Sequence, residues 1–391
     1  MPWYPRVLTA VQATASFLVP TQATNLALLI SALLGQRTLC LSALARAYPT
    51  SAPRRVARPK HDLLHRLKRL WRFLDNPRVD PLAVQLALVP ATIAQLGRPR
   101  RLGLAVDWTM FDTVLPSGER IRYQVLRIAV PRRGRALPLL QLAYDRDHLP
   151  GATSQNQLEE AALGALLAVL PPGVRPVILA DRGFARATFL EWLQAQGVDY
   201  VVRIDKGTCL TPLTGERRKL GEEALRPGQT AWWPQVRYGL HHGRPRELWL
   251  NVALCWRLPK HYARNPRQQA PAVPWYLATS LPTAEQAAAW YWQRGWIEQS
   301  FKDTKRRFGL AGVQVGSPER LSRLLMALTW ALSWLTLLGL PDLGCLPPGW
   351  RPRLAQWGRL SVLRVALHLL DALRDLPPAI LPRPAPTGGY A

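Results

Sequence analysis

Cysteine is scarce in this 391-residue chain. Cys40, Cys209, Cys255 and Cys345 lie far apart, with no Cys-x-x-Cys pair. That spacing argues against a zinc ribbon and against a disulfide framework, both of which need clustered thiols. His61 and His65 stand at i, i+4, as zinc ligands sometimes do, but no further His or Cys completes a set. They read as helix surface. No secretory signal is expected, because the first residues show neither a basic start nor a small-residue cleavage pattern. The uncharged run Leu324–Leu340 has 17 residues, the short end for a bilayer span, and it contains Thr329, Trp330 and Ser333. A buried helix is the better reading, and the expected location is the cytoplasm. There is no internal repeat.

Acid is also in short supply. Twenty-five Asp and Glu face fifty-one Lys and Arg, leaving a net charge of +26. Such an excess points to a polyanionic partner, nucleic acid first. The apolar share, 48%, is ordinary for a folded protein. The length gives room for two or three domains.

Residues 1–98 read as a helical, basic DNA-binding region. Val7–Leu18 and Asn25–Leu34 have the apolar content of packed helices, with Pro20 breaking between them. After Arg54, Arg55, Arg58 and Lys60 comes an amphipathic segment, His61–Leu74. Its Leu63, Leu67, Leu70 and Leu74 share a face, and Arg66, Lys68, Arg69 and Arg72 lie on others. Contacts from such a helix to phosphates make binding salt-dependent.

Near Arg101 the pattern changes to strands. Leu102–Trp108 reads as a buried strand, and Arg120–Val130 with Ala136–Tyr144 as an antiparallel hairpin. Ser154-x-x-Gln157 has the form of a capping box opening a helix to Leu170. Val177–Ala180 is a short buried strand ending at Asp181, followed by a helix to Gln196 and a strand at Tyr200–Arg203. Three strands followed by alternating helix and strand give an α/β fold with a mixed, RNase H-like sheet over 99–205. Residues 206–280, with Trp232, Trp233, Trp249, Trp256 and Trp275, read as a β-rich insertion. Residues 281–318 carry the last helix of the core, expected from Thr283 to Phe308. Residues 319–376 form a helical C-terminal region whose apolar content suggests dimerisation, and 377–391 are a Pro-rich tail.

One segment stands out: Tyr291, Arg294, Glu298, Lys302 and Lys305. On a single helix they fall within an ~80° stripe, so a tyrosine, a carboxylate and three cations share a face. The arrangement Tyr-x2-Arg-x3-Glu-x6-Lys resembles the signature of the insertion-sequence-four group of DDE transposases, bacterial cut-and-paste enzymes that form DNA hairpins. Asp181-Arg182-Gly183-Phe184 after an apolar strand, Tyr200-Val-Val-Arg203, and Leu104-Ala-Val-Asp107 on another strand extend the likeness over residues 100–310.

The resemblance implies an RNase H-like catalytic core in which Asp107, Asp181 and Glu298 are the catalytic, metal-binding triad. Three carboxylates suit that chemistry on physical grounds. Two hard cations ~4 Å apart can activate the attacking oxygen and stabilise the leaving one in an in-line displacement. Magnesium, with manganese as a substitute and two ions per site, is the implied cofactor. By the same resemblance, Tyr291, Arg294, Lys302, Lys305, Arg203 and Arg182 would contact DNA. Trp275 matches a tryptophan on which a flipped base stacks; the simpler reading is a core tryptophan on a buried strand. The implied partners are double-stranded DNA, both terminal inverted repeats and target, and a second copy of the chain in a synaptic complex. A host-adopted regulator that binds DNA without moving it is the alternative; a repair or junction nuclease leaves the basic helical region unexplained.

Overall fold

The computed structural model describes residues 3–49, 59–150, 153–213, 215–241, 244–256, 274–340 and 361–372. Arg54, Arg55, Arg58, Cys345, the parts 341–360 and 373–376 of the expected helical C-terminal region and the tail 377–391 lie outside the described residues, as do the side chains of Lys60 and His61. The chain opens with helices α1 (Tyr4–Thr14), α2 (Pro20–Gln36), α3 (Leu41–Arg46), α4 (Pro59–Leu74) and α5 (Pro81–Gln95). Pro20 and Pro81 sit in the first turn of their helices, where a missing N–H is no loss. Strands β1 (Arg101–Val114), β2 (Arg120–Arg132) and β3 (Arg135–Asp145) follow, then α6 (Gln155–Ala168), β4 (Arg175–Ala180), α7 (Ala187–Ala195) and β5 (Asp199–Arg203). Next come β6 (Cys209–Pro212), β7 (Arg218–Lys219), β8 (Thr230–Tyr238), β9 (Leu240–His241), β10 (Arg244–Pro245), β11 (Trp249–Cys255) and β12 (Trp275–Thr279). Helices α8 (Ala284–Arg294), α9 (Trp296–Arg306), α10 (Pro318–Gly339) and α11 (Val362–Ala372) complete the described fold. The class is mixed α/β, as the alternation of patterns predicts.

The expected helix Thr283–Phe308 is two helices. Glycine is a poor helix former, and at Gly295 the backbone N–H turns back to the carbonyl of Gln293, which interrupts the i to i−4 ladder between α8 and α9.

The chain divides into two compact units. One holds Met1–Pro99, Trp108–Val174 and Trp296–Ala391; the other holds Arg100–Asp107 and Arg175–Gly295. In the first, β2 and β3 form the expected hairpin, paired from Tyr123↔Asp145 to Arg132↔Arg135, and β2 lies between β3 and β1. Both strands are buried along most of their length because α5, α9 and α10 pack on β3. The capping box is present: Ser154 Oγ accepts the N–H of Gln157 at 3.3 Å, and the Gln157 side chain accepts the N–H of Ser154 at 2.8 Å. Helix α10 is buried from Leu321 to Gly339 against β3, α2, α5 and α11. Its apolar surface therefore serves the chain's own core, and the apolar run Leu324–Leu340 is no argument for a dimer contact.

In the second unit the strand order is β1-β4-β5-β12-β11-β8-β6-β7. The first three are parallel to one another. From β5 onward the pairing is antiparallel, so the β-rich segment extends the sheet through β12. Helix α8 packs across β4, β5, β8, β11 and β12.

Candidate active site

Register builds the site. β1 and β4 pair from Arg101↔Arg175 to Val106↔Ala180, and β4 pairs β5 from Val177↔Asp199 to Ala180↔Val202. One residue past those last pairs stand Asp107, Asp181 and Arg203. Adjacent parallel strands lie about 4.8 Å apart, and paired residues project from the same face, so two carboxylates and a guanidinium are set in a row. Arg203 is paired with Leu277 of β12, and Trp275, two residues from Leu277, shares that face. Gly103 has the same parity as Asp107 and looks directly onto the indole of Trp290 in α8. The row therefore lies under α8.

Arg294, the last residue of α8, closes the row. Its Nη2 is 2.9 Å from Asp107 Oδ2 and 3.1 Å from Asp181 Oδ2. The side chains of Arg294 and Asp107 are only 10% and 12% exposed, and that of Asp181 is 36% exposed. The second oxygen of Asp181, Oδ1, accepts the N–H of Gly183 at 2.9 Å, which caps the single 3-10 turn Arg182–Phe184. A Cβ at position 183 would stand 3.1 Å from that oxygen, a tight contact that the glycine avoids. Trp275 is half-buried; its ring meets Tyr291 edge-on at 5.1 Å and is tilted against Trp292 at 5.9 Å. Trp292 is 40% exposed and lies outside the signature spacing. The signal was there, in three consecutive aromatics, Trp290-Tyr291-Trp292. Arg182 is exposed and its Nη1 lies 3.9 Å from Asp205 Oδ2.

The other signature residues belong to the first unit. The five residues expected on one stripe divide between two helices, Tyr291 and Arg294 on α8, and Glu298, Lys302 and Lys305 on α9. Glu298 and Lys302 are exposed, while Ile297, Ser300, Phe301 and Thr304 make the buried side of α9. Lys305 Nζ donates to the carbonyl of Met110 at 2.7 Å. Burial, and then the nearby charge of Arg127, lower its pKa from the usual lysine range.

Arg127 itself is fully buried on β2. Its Nε donates to Gln141 Oε1 at 2.9 Å, Nη1 to Ser300 Oγ at 2.7 Å and Nη2 to Thr304 Oγ1 at 2.9 Å, with the guanidinium 4.2 Å from the centre of the Phe301 ring. This one side chain seats α9 on the hairpin. Nothing in the sequence marks Arg127, because an Arg inside an apolar strand reads as an outward-facing interruption.

Residues 98–334, more than half of the chain, match the family model described as the transposase DDE domain. The chain belongs to that family. No curated protein matches it. A DDE transposase acts on DNA, cutting and rejoining it, and enzymes of this family generally use divalent metal ions. The net charge of +26 suits the polyanionic substrate of a transposase. The donor chemistry of the sheet-end pair also fits the metal requirement: Asp107 and Asp181 offer carboxylate oxygens to one shared cationic atom, and hard divalent ions take oxygen ligands.

Proposed function

We propose that this DDE transposase is a cut-and-paste enzyme of the insertion-sequence-four, hairpin-forming type, and that Asp107, Asp181 and Glu298 are its catalytic carboxylates. The observation that carries the proposal is the register of β1 and β4, which brings the first two carboxylates onto the same guanidinium nitrogen. Glu298 joins them on the strength of the Tyr291-Arg294-Glu298-Lys305 spacing and its exposed position on α9. The three would hold two magnesium ions, with manganese as a substitute. When bound, such ions supply a more acidic attacking water or hydroxyl and charge neutralisation at the phosphodiester.

The remaining residues bind and orient DNA. Arg203, Arg182, Arg294, Lys302, Lys305 and the Tyr291 hydroxyl fix phosphates beside the scissile bond, which sets the attacking oxygen in line. Trp275 offers a ring to an extruded base, and stacking offsets part of the few kcal/mol that extrusion costs. In the proposed order, water cleaves one strand at the element's end and leaves a 3′-hydroxyl. That hydroxyl attacks the opposite strand to close a hairpin. A second water opens the hairpin, and the 3′ end then attacks a target phosphodiester. Residues 1–98 and the exposed cations of α4 serve end recognition, and two copies of the chain pair two ends.

The test uses DNA carrying the terminal repeats that flank the coding sequence. Glu298→Gln and Asp107→Asn should each lower cleavage with magnesium by at least a hundredfold while leaving end binding within a few-fold. Cleavage undiminished in Glu298→Gln removes Glu298 from the triad. Nicked product without a hairpin species removes the hairpin route and keeps the nuclease.

A further inference from the structure

Arg294 has a second task, and it rests on the reading of Asp107 and Asp181 as metal ligands. The signature resemblance assigns this arginine to a DNA phosphate, yet in the structure its guanidinium is committed to protein. One atom, Nη2, serves the Oδ2 oxygens of both aspartates, and the side chain is as deeply buried as Asp107. Two carboxylates set side by side by strand register repel one another, and neither strand can shift to relieve the repulsion without breaking the ladder. A cation between them removes it. Helix α8 provides that cation from its final turn, and the turn is fixed at the sheet because Trp290, four residues earlier, abuts Gly103.

We infer that Arg294 is a positioning residue whose guanidinium offsets the repulsion of the Asp107–Asp181 pair while no ion is bound and competes with a divalent ion for the same two oxygens. Loading the pair and releasing the arginine are then one exchange. The released fork is free to take a phosphate, for which its planar donors are suited. Contact to carboxylates and contact to DNA are thus successive duties of one side chain. Asp181, the more exposed of the two, is the side from which the exchange starts.

The experiment uses the full chain, Mn2+ alone and no DNA, with bound ion measured by loss of the free-Mn2+ electron paramagnetic resonance signal. Arg294→Gln should bind Mn2+ about tenfold more tightly than wild type, a difference of ~1.4 kcal/mol, and adding Asp107→Asn should abolish the gain. A folded Arg294→Gln protein with equal or weaker affinity overturns the inference. A second measurement needs no variant. Phenylglyoxal modification of Arg294 in the wild type, read by mass spectrometry, should rise several-fold as Mn2+ is added. Yield unchanged at saturating Mn2+ overturns the inference even if Arg294→Gln does not fold. Asp107→Asn and Asp181→Asn separate the two layers. If both bind Mn2+ as wild type does, the metal-ligand reading itself fails and the exchange with it; if both lose binding while Arg294→Gln matches wild type, only the exchange fails.

Discussion

Replacing Gly103 with alanine tests whether α8 is held at the sheet by close contact. A Cβ there would lie 2.9 Å from Trp290 Cζ3, 3.3 Å from its Cε3 and 3.4 Å from Leu179 Cδ1. Ordinary carbon contacts begin at ~3.5 Å, so the indole has to move. The strand cannot move in its place, because β1 is paired along Arg101–Val106 with β4. Overpacking of this kind costs ~1–3 kcal/mol. The alanine returns ~0.4–1 kcal/mol by restricting the unfolded chain. A net loss of ~1–2 kcal/mol follows, read as a lower urea midpoint at unchanged slope. Since Arg294 is one turn from Trp290, the same displacement should loosen its grip on the aspartates and lower DNA cleavage about tenfold. Trp290→Leu removes both crowded ring atoms, so Gly103→Ala introduced into that background should cost less than ~0.5 kcal/mol. An equal cost in both backgrounds would refute the packing argument, whatever the single variant does to activity.

Three further outcomes are expected. Arg127→Leu strips the donors from Gln141, Ser300 and Thr304 and should destabilise the protein by ~2–4 kcal/mol in urea unfolding; a loss under ~1 kcal/mol would show that α9 is held by its apolar contacts alone. Lys305 titrates below the usual lysine range, so between its folded pKa and ~10.4 the unfolded chain binds more protons, and this residue makes stability rise with pH there. Lys305→Met should therefore flatten the pH dependence of the wild type in that window, and an unchanged or steeper rise would contradict the assignment. Lys302 is exposed on α9 and proposed to meet a phosphate, so Lys302→Ala should reduce the slope of log K against log salt by about 1 for any DNA sequence; an unaltered slope removes the contact.

The two aspartates were legible because each ends an apolar run, Leu104-Ala-Val-Asp107 and Val177-Ile-Leu-Ala-Asp181, and a run of that kind is a buried strand with one charged residue at its mouth. Their adjacency was not legible, since register depends on pairing between segments some seventy residues apart. Helix α10 was legible from its apolar run Leu324–Leu340, but its start was not: the structure opens it at Pro318, where the Ser317 hydroxyl accepts the N–H of Arg320. The break at Gly295 escaped notice because helical periodicity runs through it, and a glycine within a helix costs only about 1 kcal/mol. The polar core was hidden for another reason. Gln85 Nε2 donates to the Gln141 carbonyl at 3.0 Å, Gln141 Nε2 to Thr329 Oγ1 at 2.8 Å, and Arg127 to Gln141 Oε1, all of them buried. Residue types that favour water can be buried only as a mutually bonded set, and no single position announces membership of one.

The scarcity of acid gives these few carboxylates weight. In a chain with twice as many cations as anions, any exposed aspartate attracts a guanidinium, and many here do: Arg120 with Asp112, Arg122 with Asp147, Arg320 with Asp75. Those pairs are on the surface and exchange freely with solvent ions, so each contributes little. The Asp107–Asp181 pair differs in being set by strand register and bridged by Arg294, which comes from a packed helix. A surplus of arginine would otherwise offer many competing partners to two adjacent carboxylates, each in its own geometry. Seating Arg294 between the two by the Gly103–Trp290 contact gives the pair a defined shape. It also means that removing one side chain, Arg294, is enough to ask what those carboxylates do when another cation is offered.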